Sequence, residues 1–116
     1  MEKNSYFYVL HCQDGSFYGG YTTDLNRREQ EHNQGVGAKY TKPLSRRPVR
    51  MIYAEAYATR SEATSAEYAF KKQTRQDKVR FLKKQGIIFP LQTNQPCKVM
   101  DHTKKGEPKD EEPEKL

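Results

Sequence analysis

The strongest local constraint on this chain is a hairpin signal near its start. Residues 5–12 (Ser5, Tyr6, Phe7, Tyr8, Val9, Leu10, His11, Cys12) are rich in aromatic and aliphatic side chains, which suit a pleated, partly buried strand. Asp14-Gly15 follows as a turn, and residues 17–21 read as the returning strand. Whatever comes next must cover that ribbon. Thr22 or Thr23 can cap a helix running to about residue 34, ended by Gly35 and Gly37. A basic loop spans 35–47, and a third strand is expected over 49–56. Thr59-Arg60-Ser61-Glu62 is a capping box opening a helix to about residue 72. Thr74-Arg75-Gln76-Asp77 is a weaker version opening a last helix to about residue 84. The order ββαβαα describes an α+β domain with a three-stranded, mostly antiparallel sheet flanked by helices.

Charge divides the chain of 116 residues. Residues 1–86 hold 16 Lys/Arg against 9 Asp/Glu, whereas residues 87–116 hold 5 against 6. The expected domain is therefore 1–86, followed by a C-terminal extension over 87–116. Within the extension, residues 87–100 carry Ile87, Ile88, Phe89 and Leu91 and either dock onto the domain or end it. From about residue 101 the sequence is too polar to offset its chain entropy and is expected to be disordered. No run approaches the roughly 18 apolar residues of a spanning helix. The start, Met1-Glu2-Lys3-Asn4, lacks a secretory pattern. Cys12 and Cys97, far apart in unlike contexts, suggest neither a disulfide framework nor a zinc site, so a cytoplasmic location is expected.

The helical faces carry an anomaly. In the first helix Leu25 is the only aliphatic residue, and Arg28 and His32 share its face. In the second, Ala63, Ala66 and Phe70 mark the inner face, with Glu67 among them. An unpaired carboxylate on an apolar face costs several kcal/mol by order of magnitude. One reading is an ion pair between Glu67 and Arg28 across the two helices. The other is a functional site, where local rules tend to fail.

These residues fall into an ordered set. Tyr6-Phe7-Tyr8-Val9-Leu10, the triplet Tyr18-Gly19-Gly20, Asp24-Leu25-Asn26-Arg27-Arg28, and Glu62-Ala63 with Glu67 resemble the GIY-YIG nuclease superfamily. Asp14-Gly15-Ser16, Glu31-His32-Asn33 and Ala38-Lys39-Tyr40-Thr41 are similar to its small, single-domain bacterial branch of largely uncharacterised proteins. The resemblance covers roughly residues 5–83. It matches Tyr8 and Tyr18 to the family tyrosines, Arg28 to the arginine, His32 to a position holding histidine or tyrosine, and Glu67 to the metal-binding glutamate. The first triplet lacks a glycine, and Gly19 replaces the usual isoleucine or valine.

The resemblance implies a metal-dependent endonuclease hydrolysing phosphodiester bonds in nucleic acid, DNA before RNA, in repair or turnover. It implies one divalent ion, Mg²⁺ or Mn²⁺, held by Glu67, with remaining positions left to water and phosphate. Arg28 would bind the scissile phosphate. Tyr8 or Tyr18 would take the proton of the attacking water, with its pKa lowered by Arg28 and the metal, and His32 could relay that proton. The two tyrosines share a face only if the hairpin closes through a three-residue loop, Gln13-Asp14-Gly15, pairing Cys12 with Ser16 and Tyr8 with Gly20. We expect that arrangement, with Gly20 leaving space beside Tyr8 for the phosphate backbone.

Lys39, Lys42, Arg46, Arg47 and Arg50 in and beside the basic loop, and Lys71, Lys72 and Arg75 after Glu67, are the expected nucleic-acid contacts. The alternative is a non-cleaving nucleic-acid-binding module of the same fold. A third, more remote, is an adaptor whose tail recruits a protein partner. No membrane partner is expected.

Overall fold

A computed structural model of the chain describes residues 3–104. Strands β1 (Ser5–His11) and β2 (Phe17–Thr22) form the hairpin, followed by α1 (Leu25–Asn33), a 3-10 turn (Leu44–Arg46) and β3 (Arg50–Tyr57). Helices α2 (Arg60–Lys71) and α3 (Arg75–Lys84) and a short strand β4 (Lys98–Asp101) complete the chain.

The sheet has four strands, not the expected three, in the order β2-β1-β3-β4. β1 pairs antiparallel with β2 and with β3, and β4 joins β3 in parallel, with Ala54 opposite Val99 and Glu55 opposite Met100. The fourth strand escaped prediction because Lys98-Val99-Met100-Asp101 is short and mostly exposed, and its pairing is set by contacts distant in sequence. The extension thus docks onto the domain at least as far as Asp101. The segment expected to be disordered begins at about residue 101; of it residues 101–104 are described, with Asp101 closing β4, and the remainder lies outside the described residues. The tail through which a protein partner was expected lies there too.

The hairpin loop follows the three-residue scheme. The Cys12 amide donates to Ser16 O at 2.8 Å, Gly15 adopts φ +89°, and Tyr8 pairs with Gly20 and Leu10 with Tyr18. α1 begins two residues later than a Thr22 cap and one later than a Thr23 cap would place it. Asp24 accepts from the Arg27 amide, while Thr22 Oγ1 accepts the Asp24 amide and so is spent on the turn before the helix.

Alternation along the strands builds two cores. Phe7, Val9, Phe17, Ile52 and Tyr53 meet Phe70, Leu82 and Ile87 on one face, while Tyr8, Leu10, Cys12, Met51 and Ala54 form the other with Tyr18, Leu25 and Tyr40 packed against them. Consecutive glycines serve opposite faces. A Cβ on Gly19 would lie 2.9 Å from Phe70, and a Cβ on Gly20 would collide with the Tyr8 phenol. Gly19 therefore stands where bulkier residues are usual because Phe70 occupies that space. The room above Gly20 is filled by the Tyr8 ring, which corrects the expectation that it lies open to a phosphate backbone.

Among the described residues no helix is long and apolar enough to cross a membrane.

Candidate active site

The misfit residues of α1 converge on β1. His32 is fully buried, and its Nε2 lies 2.7 Å from the Tyr8 hydroxyl. Its Nδ1 lies 2.6 Å from Thr41 Oγ1, and Thr41, equally buried, donates to Ala38 O at 3.3 Å. A hydroxyl that donates elsewhere can only accept from the ring, so Nδ1 carries the proton and Nε2 is left to accept. The Tyr8 O–H then donates to Nε2, and its oxygen accepts from Arg28 Nε at 3.3 Å. Arg28, Tyr8, His32 and Thr41 form one directional hydrogen-bonded line.

Arg28 is itself held. Nη1 donates to Glu31 at 2.9 Å and Nη2 to Gly37 O at 2.7 Å. The Arg28–Glu67 ion pair that would have made these residues structural is not formed; Glu67 Oε2 instead meets Lys71 Nζ at 2.9 Å. Three of the five guanidinium N–H groups are thus engaged, and two have no partner among the described residues. Gly37 is required here, since a Cβ would stand 2.7 Å from His32 Nδ1. The loop between α1 and β3 therefore clamps both side chains. Sequence reasoning singled out Arg28 and His32 but missed the roles of Thr41, Gly37 and Glu31. For Thr41 the only signal was its place in the Ala38–Thr41 segment.

Burial sets the acid–base character. It pushes the Tyr8 phenol up to about 12, although Arg28 pulls the other way by hydrogen bond and charge. Arg28 lowers the value as its charge should, but desolvation of the buried phenol outweighs it. Burial, and then the Arg28 charge, pull His32 down to about 4, so the imidazole is neutral at pH 7.

Tyr18 lies on the same face, its ring 6.5 Å from Tyr8 and 5.3 Å from His32. It stacks on Tyr40, whose ring also carries the Arg46 guanidinium at 3.9 Å. α2 approaches from the β2 side. Its Lys71 Nζ lies 5.5 Å from the Tyr18 ring, and the Glu67 charge contributes to the upward shift of Tyr8. The Glu67 side chain is 20% exposed. Among the described residues no group of three or more His, Cys, Asp or Glu side chains is placed to hold a metal. Glu67, whose Oε2 meets Lys71, is a single carboxylate, and a single carboxylate fits a hard cation that retains waters and shares a phosphate.

The basic residues divide into two groups. Lys39, Lys42 and Lys72 are exposed. Arg46 pairs with Asp14 at 3.0 Å and donates to Tyr40 O, and Arg47 donates to Asn33 O and Lys42 O, so these two brace the loop. Arg75 and Arg50 also serve backbone carbonyls, of Gly15 at 2.7 Å and Gln92 at 2.6 Å respectively.

Comparison with known proteins gives one consistent family. The model described as the GIY-YIG catalytic domain matches residues 4–80. A UPF0213 protein of Enterococcus faecalis is 65% identical over 82 residues, which are 71% of this chain and 93% of the relative. A UPF0213 protein of Pediococcus pentosaceus is 56% identical over 82 residues, 71% and 84% respectively. The solution NMR structure of an E. faecalis protein, 61% identical, superposes with a TM-score of 0.52 over 75% of this chain and 91% of that one.

Proposed function

The chain belongs to the GIY-YIG family, and from that membership we propose that it is a metal-dependent endonuclease hydrolysing phosphodiester bonds in nucleic acid, DNA before RNA, in cytoplasmic repair or turnover. The observation that carries this reading is the buried line from Arg28 through Tyr8 and His32 to Thr41. A merely structural network would have no need to hold a neutral imidazole as acceptor behind a phenol.

In this reading Arg28 binds the scissile phosphate through its remaining N–H groups and offsets the charge that grows on it. The Tyr8 oxygen takes the proton of the attacking water while its own proton passes to His32 Nε2. Thr41 keeps the other ring proton on Nδ1. The relay is uphill in the resting protein, because Tyr8 is a weak acid and His32 a weak base. Phosphate docking on Arg28 eases it, since Arg28 is one of the charges that repel a proton from His32. Glu67 would hold one Mg²⁺ or Mn²⁺, whose chemistry there is stabilisation of charge on the leaving oxygen. Lys39, Lys42, Lys71 and Lys72 supply salt-dependent attraction to phosphates, with Arg46 and Arg47 fixing the loop that presents the first two.

The test is nicking of supercoiled plasmid and of branched DNA in the presence of Mg²⁺ or Mn²⁺. Wild type cuts, and Glu67→Ala loses cleavage by roughly a hundredfold or more while keeping binding. Wild type that binds DNA but cuts nothing with either ion defeats the proposal. One observation favours the alternative of a non-cleaving binding module: Lys71 already neutralises Glu67. If that pair holds the chain inactive, Lys71→Met cuts where wild type does not.

A further inference from the structure

The opposite face of the sheet buries a carboxyl group that no cation among the described residues answers. Glu55, in the middle of β3 and directly opposite Phe7, is 7% exposed. Its carboxylate accepts the Tyr53 and Tyr57 hydroxyls, each at 2.6 Å, and no Lys, Arg or His among the described residues lies within ion-pairing distance. Burial, and after it the Glu55 carboxylate they donate to, push both phenols upward. Phenols satisfy two of the roughly four acceptor sites of a carboxylate and none of its charge. A buried charge left so is costly.

Beside it is space. A cavity of about 270 Å³ lies between Glu55, Tyr57 and the inner sides of α2 and α3, walled by Phe7, Phe70 and Phe81. The other polar group on its wall, Gln73, contributes a buried Oε1 with no donor among the described residues. Lys78 is the ammonium placed nearby, and it sits over the Phe70 ring at 5.3 Å instead of on Glu55. The lining therefore offers acceptors and aromatic faces, and the complementary guest is a cation with N–H donors and a short apolar stem.

We infer that this cavity binds a small organic cation, an alkylammonium head seated on the Glu55 carboxylate with its stem against the rings of Phe7, Phe70 and Phe81. The site is separate from the Arg28–Tyr8–His32 line and stands or falls independently of the nuclease reading. Two sources share this chemistry: a free diamine and the side chain of a lysine on another protein.

The test uses the full chain and NMR titration with n-butylammonium chloride, against n-butanol as the uncharged counterpart of similar shape. Saturable shifts centred on Phe7, Tyr57, Phe70 and Phe81 are expected with the ammonium and not with the alcohol. Glu55→Gln, which keeps shape and removes charge, weakens binding roughly tenfold or more. Because that variant disturbs a buried network, Ala66→Leu provides a second check: it fills the cavity from α2 and abolishes the shifts with Glu55 in place. Putrescine and Nα-acetyl-lysine methylamide then distinguish the sources by which binds more tightly. Equal shifts with n-butanol, unchanged binding in Glu55→Gln, or shifts confined to surface carboxylates such as Glu31 and Glu67 overturn the inference.

Discussion

On one face of the sheet Tyr8, His32 and Thr41 are buried with every polar atom assigned a donor or acceptor, and the line ends at a guanidinium with N–H groups to spare. On the other, Glu55 is buried under two phenols and ends at an aromatic cavity. The same β1 strand feeds both, Tyr8 to one and Phe7 to the other. The difference teaches that burial alone does not make a titratable group catalytic. A proton can travel where donors and acceptors alternate; around Glu55 the phenols only converge on a shared acceptor.

Tyrosine-to-phenylalanine changes break the comparison most sharply. Tyr8→Phe removes the proton carrier and lowers the cleavage rate by roughly 10²–10⁴-fold with DNA binding retained. Tyr53→Phe leaves the rate unchanged and costs about 1–3 kcal/mol in denaturant unfolding, because Glu55 loses a donor. Equal rate losses in both would mean that the two faces are not separate.

Acid unfolding gives the next largest effect. His32 takes up its proton at about 4 in the folded chain, against roughly 6.5 when unfolded. Between these values the unfolded state binds a proton that the native state refuses, so stability falls as pH drops from about 6.5 to about 4 and levels below it. The loss is about 3 kcal/mol, read from urea midpoints across that window. His32→Phe removes this slope. The same low value keeps His32 an acceptor at mildly acidic pH, so the cleavage rate should not fall near pH 6.5 as it would with an exposed histidine.

The neighbouring glycines sharpen the contrast within a single peptide unit. Gly20→Ala drives the Tyr8 phenol off His32 and abolishes cleavage, while Gly19→Ala presses on Phe70 and costs about 1–3 kcal/mol with the rate retained. A smaller effect is expected at Thr41. Thr41→Val frees the tautomer and slows cleavage roughly tenfold, and Thr41→Ser restores it, with the Nδ1 and Nε2 shifts of His32 reporting the tautomer directly.

What could be read from the sequence was local. The hairpin register followed from Gly15 and side-chain alternation, and the caps of α2 and α3 at Thr59 and Thr74 follow from their boxes. Arg28 and His32 stood out because a helical face exposes a misfit. Illegible were the quantities that depend on distant chain. Thr41 meets His32 only once the loop folds back, and the direction of the Tyr8 shift depends on desolvation that no spacing records. Arg46 and Arg47 counted as free charge until their carbonyl partners were placed.

β4 has a consequence beyond its four residues. It lies outside residues 4–80, yet it occupies the hydrogen-bonding rim of β3 that would otherwise face solvent. An unpaired rim is a template for other chains, and short strands bearing charge are among the devices that blunt it. Lys98 and Asp101 flank this one. A chain ending after α3 would carry a sticky border and self-associate as concentration rises, so the C-terminal strand acts as a guard on solubility at no expense to the face that carries Tyr8 and His32.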